Sequence, residues 1–213
     1  MRSAGISQPT TRDLCYSGVY MATPDTSDLC ARLATDLDGH FAELVMDHQN
    51  LVHGVALRVV GDAASAEDVA QEVFVRAYRT MRRYPQERIE QLRLRAWLAK
   101  MTLNLARNSI RGRRQHLDVD DLAERGPVAT DEPSRLVQRS EEQRLWTRLL
   151  AGLPDRYRLA VALRHVDGLS YDELSETLNR PLGSVKSDVH RGVALLRAAY
   201  EAEQRLVSAK EAV

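Results

Sequence analysis

Apolar positions along this chain recur at helical spacing. Phe41, Leu44, Val45, Leu51, Val52, Val55 and Val59 mark one face of a first long helix, with His48 on the same face. A lone histidine in such a stripe reads as a satisfied core residue more readily than as a ligand. Gly61-Asp62 breaks the pattern, and Ser65 is placed to cap the next helix, whose inner face is Val69, Val73, Ala77 and Met81. Tyr84-Pro85 ends that helix, a polar loop follows from Pro85 to about Gln91, and a third long helix runs to about Arg114. A second block opens with Leu145, Trp146, Leu149 and Leu150, breaks at Leu153-Pro154, and resumes from Leu159 to Val166. Ser170-Tyr171-Asp172-Glu173 then has capping-box spacing, and Asn179, Pro181 and Gly183 end that helix in a tight turn. In the helix that follows, Val185, Val189, Val193 and Leu196 share one face. At about 100° per residue, Lys186, Ser187, His190 and Arg191 point away from it.

No stretch alternates as a strand would. The pattern predicts an all-α fold of two small helical domains, residues 37–115 and 140–202, joined by a flexible acidic linker at 116–139. Residues 1–36 carry Ser, Thr, Pro and Asp with weak periodicity and are expected to form a disordered arm, with Met21 as an alternative start to Met1. Residues 203–213 are expected to fray as a tail.

Charge changes this picture by its placement rather than its sum. Thirty basic and thirty acidic side chains cancel over 213 residues, so any surface for a polyanion must be local. From Gln91 to Leu117 the chain holds Arg93, Arg95, Lys100, Arg107, Arg111, Arg113 and Arg114 and no acid. Asp118 to Glu132 then sets Asp118, Asp120, Asp121, Glu124, Asp131 and Glu132 against Arg125 alone. No run approaches the ~20 apolar residues of a membrane span, and no signal peptide is evident at the N-terminus. Cys15 and Cys30, outside any CxxC, do not read as a disulfide scaffold, so the cytoplasm is the expected compartment. No Gly-rich phosphate loop, HExxH, GxSxG or metal-spaced Cys/His set occurs, and His48 and His53 are poorly spaced for joint ligation. Neither catalysis, a metal nor a cofactor is expected.

Three surfaces remain as candidates. Asp68, Gln71, Glu72, Val75 and Arg79 fall opposite the core stripe of the second helix, as an ordinary solvated face or as a docking patch for a basic helical partner. Arg93, Lys100, Asn104, Arg107, Arg111 and Arg114 lie within an arc of roughly 80°, which suits a phosphate backbone, with Asn104 placed to read a base edge. Trp97 and Tyr84 either stack on unpaired bases or serve the core. Lys186, Ser187, His190 and Arg191 suit a major groove. Asp188 beside them either pairs within the protein or accepts from a cytosine amino group.

In this order, the segments resemble the bacterial sigma-70 family, and within it the small extracytoplasmic-function (ECF) group. "GDAASAEDVAQEVFVRAYRTM" and "RAWLAKMTLNLARNSIRGRR" resemble its region 2, and "LPDRYRLAVALRHVDGLSYDELSETLNRPLGSVKSDVHRGVALLR" resembles its region 4. The resemblance implies a dissociable promoter-recognition subunit of RNA polymerase that does no chemistry. It implies that Asp68, Gln71 and Glu72 meet the clamp of the polymerase β′ subunit, and that the second domain meets the β flap. Trp97, Lys100, Asn104, Arg107, Arg111, Arg113 and Arg114 would face the −10 element, and Lys186, Ser187, His190 and Arg191 the −35 element. An anti-sigma factor would hold the free protein. The segment from Tyr84 to Arg95 is longer than is usual in the family, so the family's flipped-base pocket is not carried over residue by residue. About 24 linker residues reach ~80 Å extended and average ~27 Å as a coil. A spacer of ~16–17 base pairs spans ~55–58 Å, so the linker bridges two promoter elements only when well extended. A stand-alone helix-turn-helix regulator with a helical sensor domain is the alternative.

Overall fold

Helix starts and stops in this chain are set by a few polar residues. The computed structural model describes residues 26–116 and 141–211. Asp36 accepts from the Gly39 N–H at 2.9 Å and starts α2 (Leu37–Val60). Gly61 closes it in the left-handed region, its N–H donating to the Leu57 carbonyl. Asp62, rather than Ser65, caps α3 (Ala63–Met81): its carboxylate accepts from the Ser65 N–H at 2.8 Å. The remaining elements are α1 (Thr26–Thr35), α4 (Gln86–Glu90), α5 (Leu94–His116), α6 (Glu141–Ala151), α7 (Asp155–Val161), α8 (Tyr171–Leu178) and α9 (Leu182–Glu211). A π-helical turn, Ala162–Val166, continues α7. Every regular element among the described residues is helical.

The first core gathers Leu44 and Val52 from α2, Val69, Val73 and Met81 from α3, and Leu94 and Leu98 from α5. It also takes Leu29, Cys30, Leu33 and Ala34 from α1, which corrects the expectation of disorder over 1–36 for residues 26–36; residues 1–25 lie outside the described ones. Ten residues are too few to hold a helix alone, so α1 owes its order to tertiary packing that periodicity does not reveal. Arg32 on α1 clasps Glu43 on α2 with paired hydrogen bonds of 2.6 and 2.7 Å. The polar loop expected at 85–91 contains α4, anchored by the buried Ile89. The linker expected at 116–139 lies outside the described residues beyond His116, and Arg114 has no described side chain. At the other end α9 continues through 203–211, where fraying was expected, with Trp146 of α6 stacked on its Tyr200 at 5.0 Å.

A second core crosses from one block of helices to the other. Leu51 and Val55 of α2 and Ala99 and Leu103 of α5 pack with Leu163, Leu169, Leu174, Val185 and Val189. The two helices therefore carry two apolar stripes each, one for either core.

Candidate nucleic-acid interface

The helix-turn-helix is built by local chemistry. Ser170 accepts from the Glu173 N–H at 3.2 Å while the Glu173 carboxylate accepts from the Ser170 N–H at 2.7 Å, so the capping box is complete. Asn179 ends α8 with φ of 51°, a conformation its short polar side chain tolerates. Pro181 follows, and α9 begins at Leu182, so Gly183 belongs to the helix and not to the turn. Val185, Val189 and Leu196 are buried. Gly192 faces the same way and lets α9 approach α7: a Cβ there would stand 2.5 Å from Val161 Cγ2 and 3.3 Å from the Tyr157 carbonyl.

Lys186, Ser187, His190 and Arg191 are all exposed. Lys186 lies 5.8 Å from the centre of the Tyr171 ring, and the Ser187 hydroxyl donates to the Gly183 carbonyl at 2.9 Å, leaving its lone pairs outward as acceptors. Asp188 is 0% exposed. Arg156 donates to its carboxylate at 2.8 Å, and Arg180 grips the other oxygen. Burial works against its charge, but these hydrogen bonds outweigh it and hold the carboxyl below its ordinary range. Asp188 therefore pairs within the protein and is closed to a base.

On α5, Asn104, Arg107 and Arg111 are exposed and Lys100 is half-buried. Arg113 reaches back to Asp62 at 3.1 Å, which ties the end of α5 to the start of α3. Trp97 and Tyr84 are half-buried against the first core, which gives both a structural role at least in part. Alongside Asn104 the seam between α3 and α5 opens into a groove of about 370 Å³, lined among others by Arg76, Arg79, Arg83, Met101 and Asn108. The grouping of Arg76, Arg83 and Asn108 escaped the sequence reading. Its signal is the pair of arginines at 76 and 79 on α3, with Arg83 in the turn that follows that helix.

Asp68 and Gln71 are exposed on α3, and Val75 beside them is 42% exposed. Glu72 is half-buried and receives a hydrogen bond from Arg76 one turn on, so the acidic patch and the basic groove share an ion pair. His48 is buried with Nδ1 3.0 Å from the Leu44 carbonyl, and burial lowers its pKa, as expected of a core histidine. Cys30 is buried too, its thiol donating to the Leu92 carbonyl at 3.4 Å and its pKa raised to about 11 by burial. No group of His, Cys, Asp or Glu among the described residues is arranged to hold a metal ion, and no described helix is long and apolar enough to cross a membrane.

Comparison with known proteins gives this geometry a context. Residues 44–116 match the family described as Sigma-70 region 2, and residues 143–196 match Sigma-70, region 4. The chain is 35% identical over 158 residues to ECF RNA polymerase sigma factor SigE of Mycolicibacterium smegmatis, covering 73% of this chain and 59% of SigE. It is 30% identical over 166 residues to ECF RNA polymerase sigma factor SigW of Bacillus subtilis, covering 74% of this chain and 87% of SigW. It is 33% identical over 161 residues to the RNA polymerase sigma-H factor of Pseudomonas aeruginosa, covering 71% and 81%. Among solved structures, the fold resembles the sigma factor RpoE of Bartonella quintana, crystallised with the anti-sigma factor NepR, with a TM-score of 0.62 at 20% identity over 76% of this chain and 96% of that one. It also resembles CnrH, solved with the cytosolic domain of CnrY, with a TM-score of 0.58 at 21% identity over 83% and 97%.

Proposed function

This chain belongs to the extracytoplasmic-function group of the bacterial sigma-70 family, and we propose that it directs core RNA polymerase to promoters through two basic faces on separate helices. The observation that carries the residue assignment is the pair of exposed cationic faces, Lys186/His190/Arg191 on α9 and Asn104/Arg107/Arg111 on α5. Phosphate contacts position such a protein and a few polar groups specify the sequence. On α9, Lys186, Ser187, His190 and Arg191 enter the −35 major groove, while the Arg156–Asp188–Arg180 cluster stiffens the helix from within. On α5, Lys100, Asn104, Arg107, Arg111 and Arg114 follow the −10 element, with Trp97 at the edge of that surface, while Arg113 is held by Asp62 and orients the end of the helix. The groove between α3 and α5 offers cations and two amides to a strand leaving the duplex.

Asp68, Gln71 and Glu72, with Val75 among them, form the docking patch for the β′ clamp, and the second domain meets the β flap. Strand opening draws on binding energy, so no residue of this chain is asked to act as an acid, base or nucleophile. An anti-sigma factor restrains the free protein in the cytoplasm by covering these surfaces.

The test is co-purification with core polymerase followed by start-site-specific transcription in the reconstituted holoenzyme. Replacing Lys186 or Arg191 by Ala is expected to cost ~1–3 kcal/mol of promoter binding where the side chain is bidentate to a base. Unchanged transcription from the cognate promoter after both replacements would overturn the −35 assignment. Tight binding of the free chain to duplex DNA without polymerase would favour the stand-alone regulator.

A further inference from the structure

We propose that Arg156 and Arg180, whose guanidinium groups both turn to Asp188, are positioning residues for the recognition helix: through that carboxylate they fix the rotation of α9 in the −35 major groove, so that discrimination among −35 sequences depends on them more than affinity for DNA does. The proposal rests on the −35 assignment made above and deepens it.

Apolar contact by itself sets the rotation of α9 loosely. The helix is seated through Val185, Val189 and Leu196, and burial of such side chains is non-directional. At about 100° per residue, Asp188 lies at the margin of this stripe, about 60° around the helix from Arg191 and about 100° from Ser187. A helix with its side chains is ~10–12 Å across, so a rotation of ~20° carries an outward tip ~2 Å. That displacement is larger than the whole range of heavy-atom distances, ~2.7–3.2 Å, over which an N–H···O bond is made. A reading helix that rolls this far keeps its charge beside the phosphates and loses its register on the bases.

Asp188 supplies the missing direction. Its Oδ1 accepts from Arg156 Nε at 2.8 Å and stands 2.7 Å from Arg156 Nη2, while Oδ2 accepts from Arg180. Arg156 is the second residue of α7. Arg180 comes from the turn between α8 and α9, where Ser175 holds its backbone on both sides. The Arg180 N–H donates to the Ser175 carbonyl at 3.1 Å, and the Arg180 carbonyl accepts from the Ser175 hydroxyl at 2.7 Å. One carboxylate thus ties α9 to α7 and, by way of Arg180, to the end of α8. Planar guanidinium groups make strong, directional bonds to a carboxylate, and the Asp188 side chain is 0% exposed, so water does not compete for it.

The experiment uses the full chain in reconstituted holoenzyme and reads a ratio: affinity for the cognate promoter over affinity for promoters with single −35 substitutions. Arg156→Gln and Arg180→Gln each remove a positive charge, whereas Asp188→Asn removes a negative one. All three should lower the ratio, by about tenfold where a bidentate base contact is thrown out of line. A purely electrostatic role makes the opposite forecast: affinity for every DNA falls in the arginine variants and rises in Asp188→Asn, with the ratio at its parent value. That result overturns the proposal. A partly unfolded population lowers all affinities by one factor and does not lower the ratio, so a fallen ratio reports misalignment of α9. Arg156→Lys keeps a cation at Asp188 and is the mildest of the changes, which guards against a variant that does not fold. It should give a ratio between those of the parent and Arg156→Gln, and parent-like ratios in variants that circular dichroism shows to be folded overturn positioning alone. A parent holoenzyme with no preference among −35 sequences would instead overturn the −35 assignment and the positioning together.

Discussion

Asp188 follows Ser187 on a helix whose outward face is otherwise hydroxyl or basic, and its placement decides how that helix is held. At 100° per residue it falls between the buried stripe and the exposed face, and Arg156 of α7 and Arg180 of the turn converge on it. A buried carboxylate with both oxygens engaged is costly to break, because the loss leaves its partners unsatisfied. Asp188→Asn should lower second-domain stability by ~1–3 kcal/mol at neutral pH, read from urea midpoints. The pH dependence has a definite sign. The folded-state pKa lies below the ordinary carboxylate value of about 3.9, so the stabilisation is complete above that value and is lost as pH falls through the depressed one. Comparing parent and variant midpoints between about pH 2 and pH 6 should show a steeper acid limb in the parent than in the variant, which keeps the contributions of Asp62 and Glu43. An identical limb in both would place the titrating group elsewhere. From sequence alone Asp188 stands between a base contact and an internal pair. Spacing gave its angle on the helix but not the arginine that arrives from α7.

At the scale of elements, α9 depends on close approach to α7. Gly192 sits where a methyl group would meet Val161 Cγ2 at 2.5 Å, Tyr157 Cβ at 3.2 Å and the Tyr157 carbonyl oxygen at 3.3 Å. Val161 is buried and has little room to turn away. Gly192→Ala would gain helix propensity, but overpacking should win and cost ~1–3 kcal/mol net. Its second effect is on recognition: α9 pushed from α7 tilts Lys186 and Arg191, so affinity for the −35 duplex in holoenzyme should fall although neither side chain has changed. A thermal midpoint at or above that of the parent would refute the clash. Elements with strong local signals were legible in the sequence. The stripes of α3 and α9 and the capping box of α8 lie where periodicity and Ser170/Glu173 place them. Two elements were not. α1 does space Leu29, Cys30, Leu33 and Ala34 as a helix would, but over one short stretch beside a Ser/Thr/Pro-rich arm, and α4 carries one buried residue, Ile89, so neither gives a run long enough to stand out. Both are ordered by the first core, a non-local cause.

For the whole molecule, the question is how two separately readable blocks behave as one. The stripe Leu44–Val52–Ala56 serves the first core, while Leu51 and Val55, about 100° around α2, serve the second. From sequence alone these merge into one face, because an apolar residue does not announce which partner it meets. For the same reason the pairing of Arg58 with Asp167, 109 residues apart, left no local trace. The cationic stretch on α5 was legible, and the described structure adds the division of labour within it. Arg113 is committed to Asp62 and Arg93 to Glu176, while Arg107 and Arg111 remain exposed. Only cations that neutralise phosphates release counterions, so the salt dependence of promoter binding counts them. Replacing Arg107 and Arg111 by Ala in holoenzyme should flatten the slope of log K against log salt. The change should be ~0.9 per lost contact on duplex DNA and ~0.7 per lost contact on a template with the −10 strand already open. Replacing Arg113 should instead destabilise the α3–α5 junction and leave the slope near its parent value. An unchanged slope after the Arg107 and Arg111 replacements, with promoter affinity intact, would remove α5 from the phosphate path. Equal slopes for all three replacements would show that the Asp62 pairing does not persist on DNA.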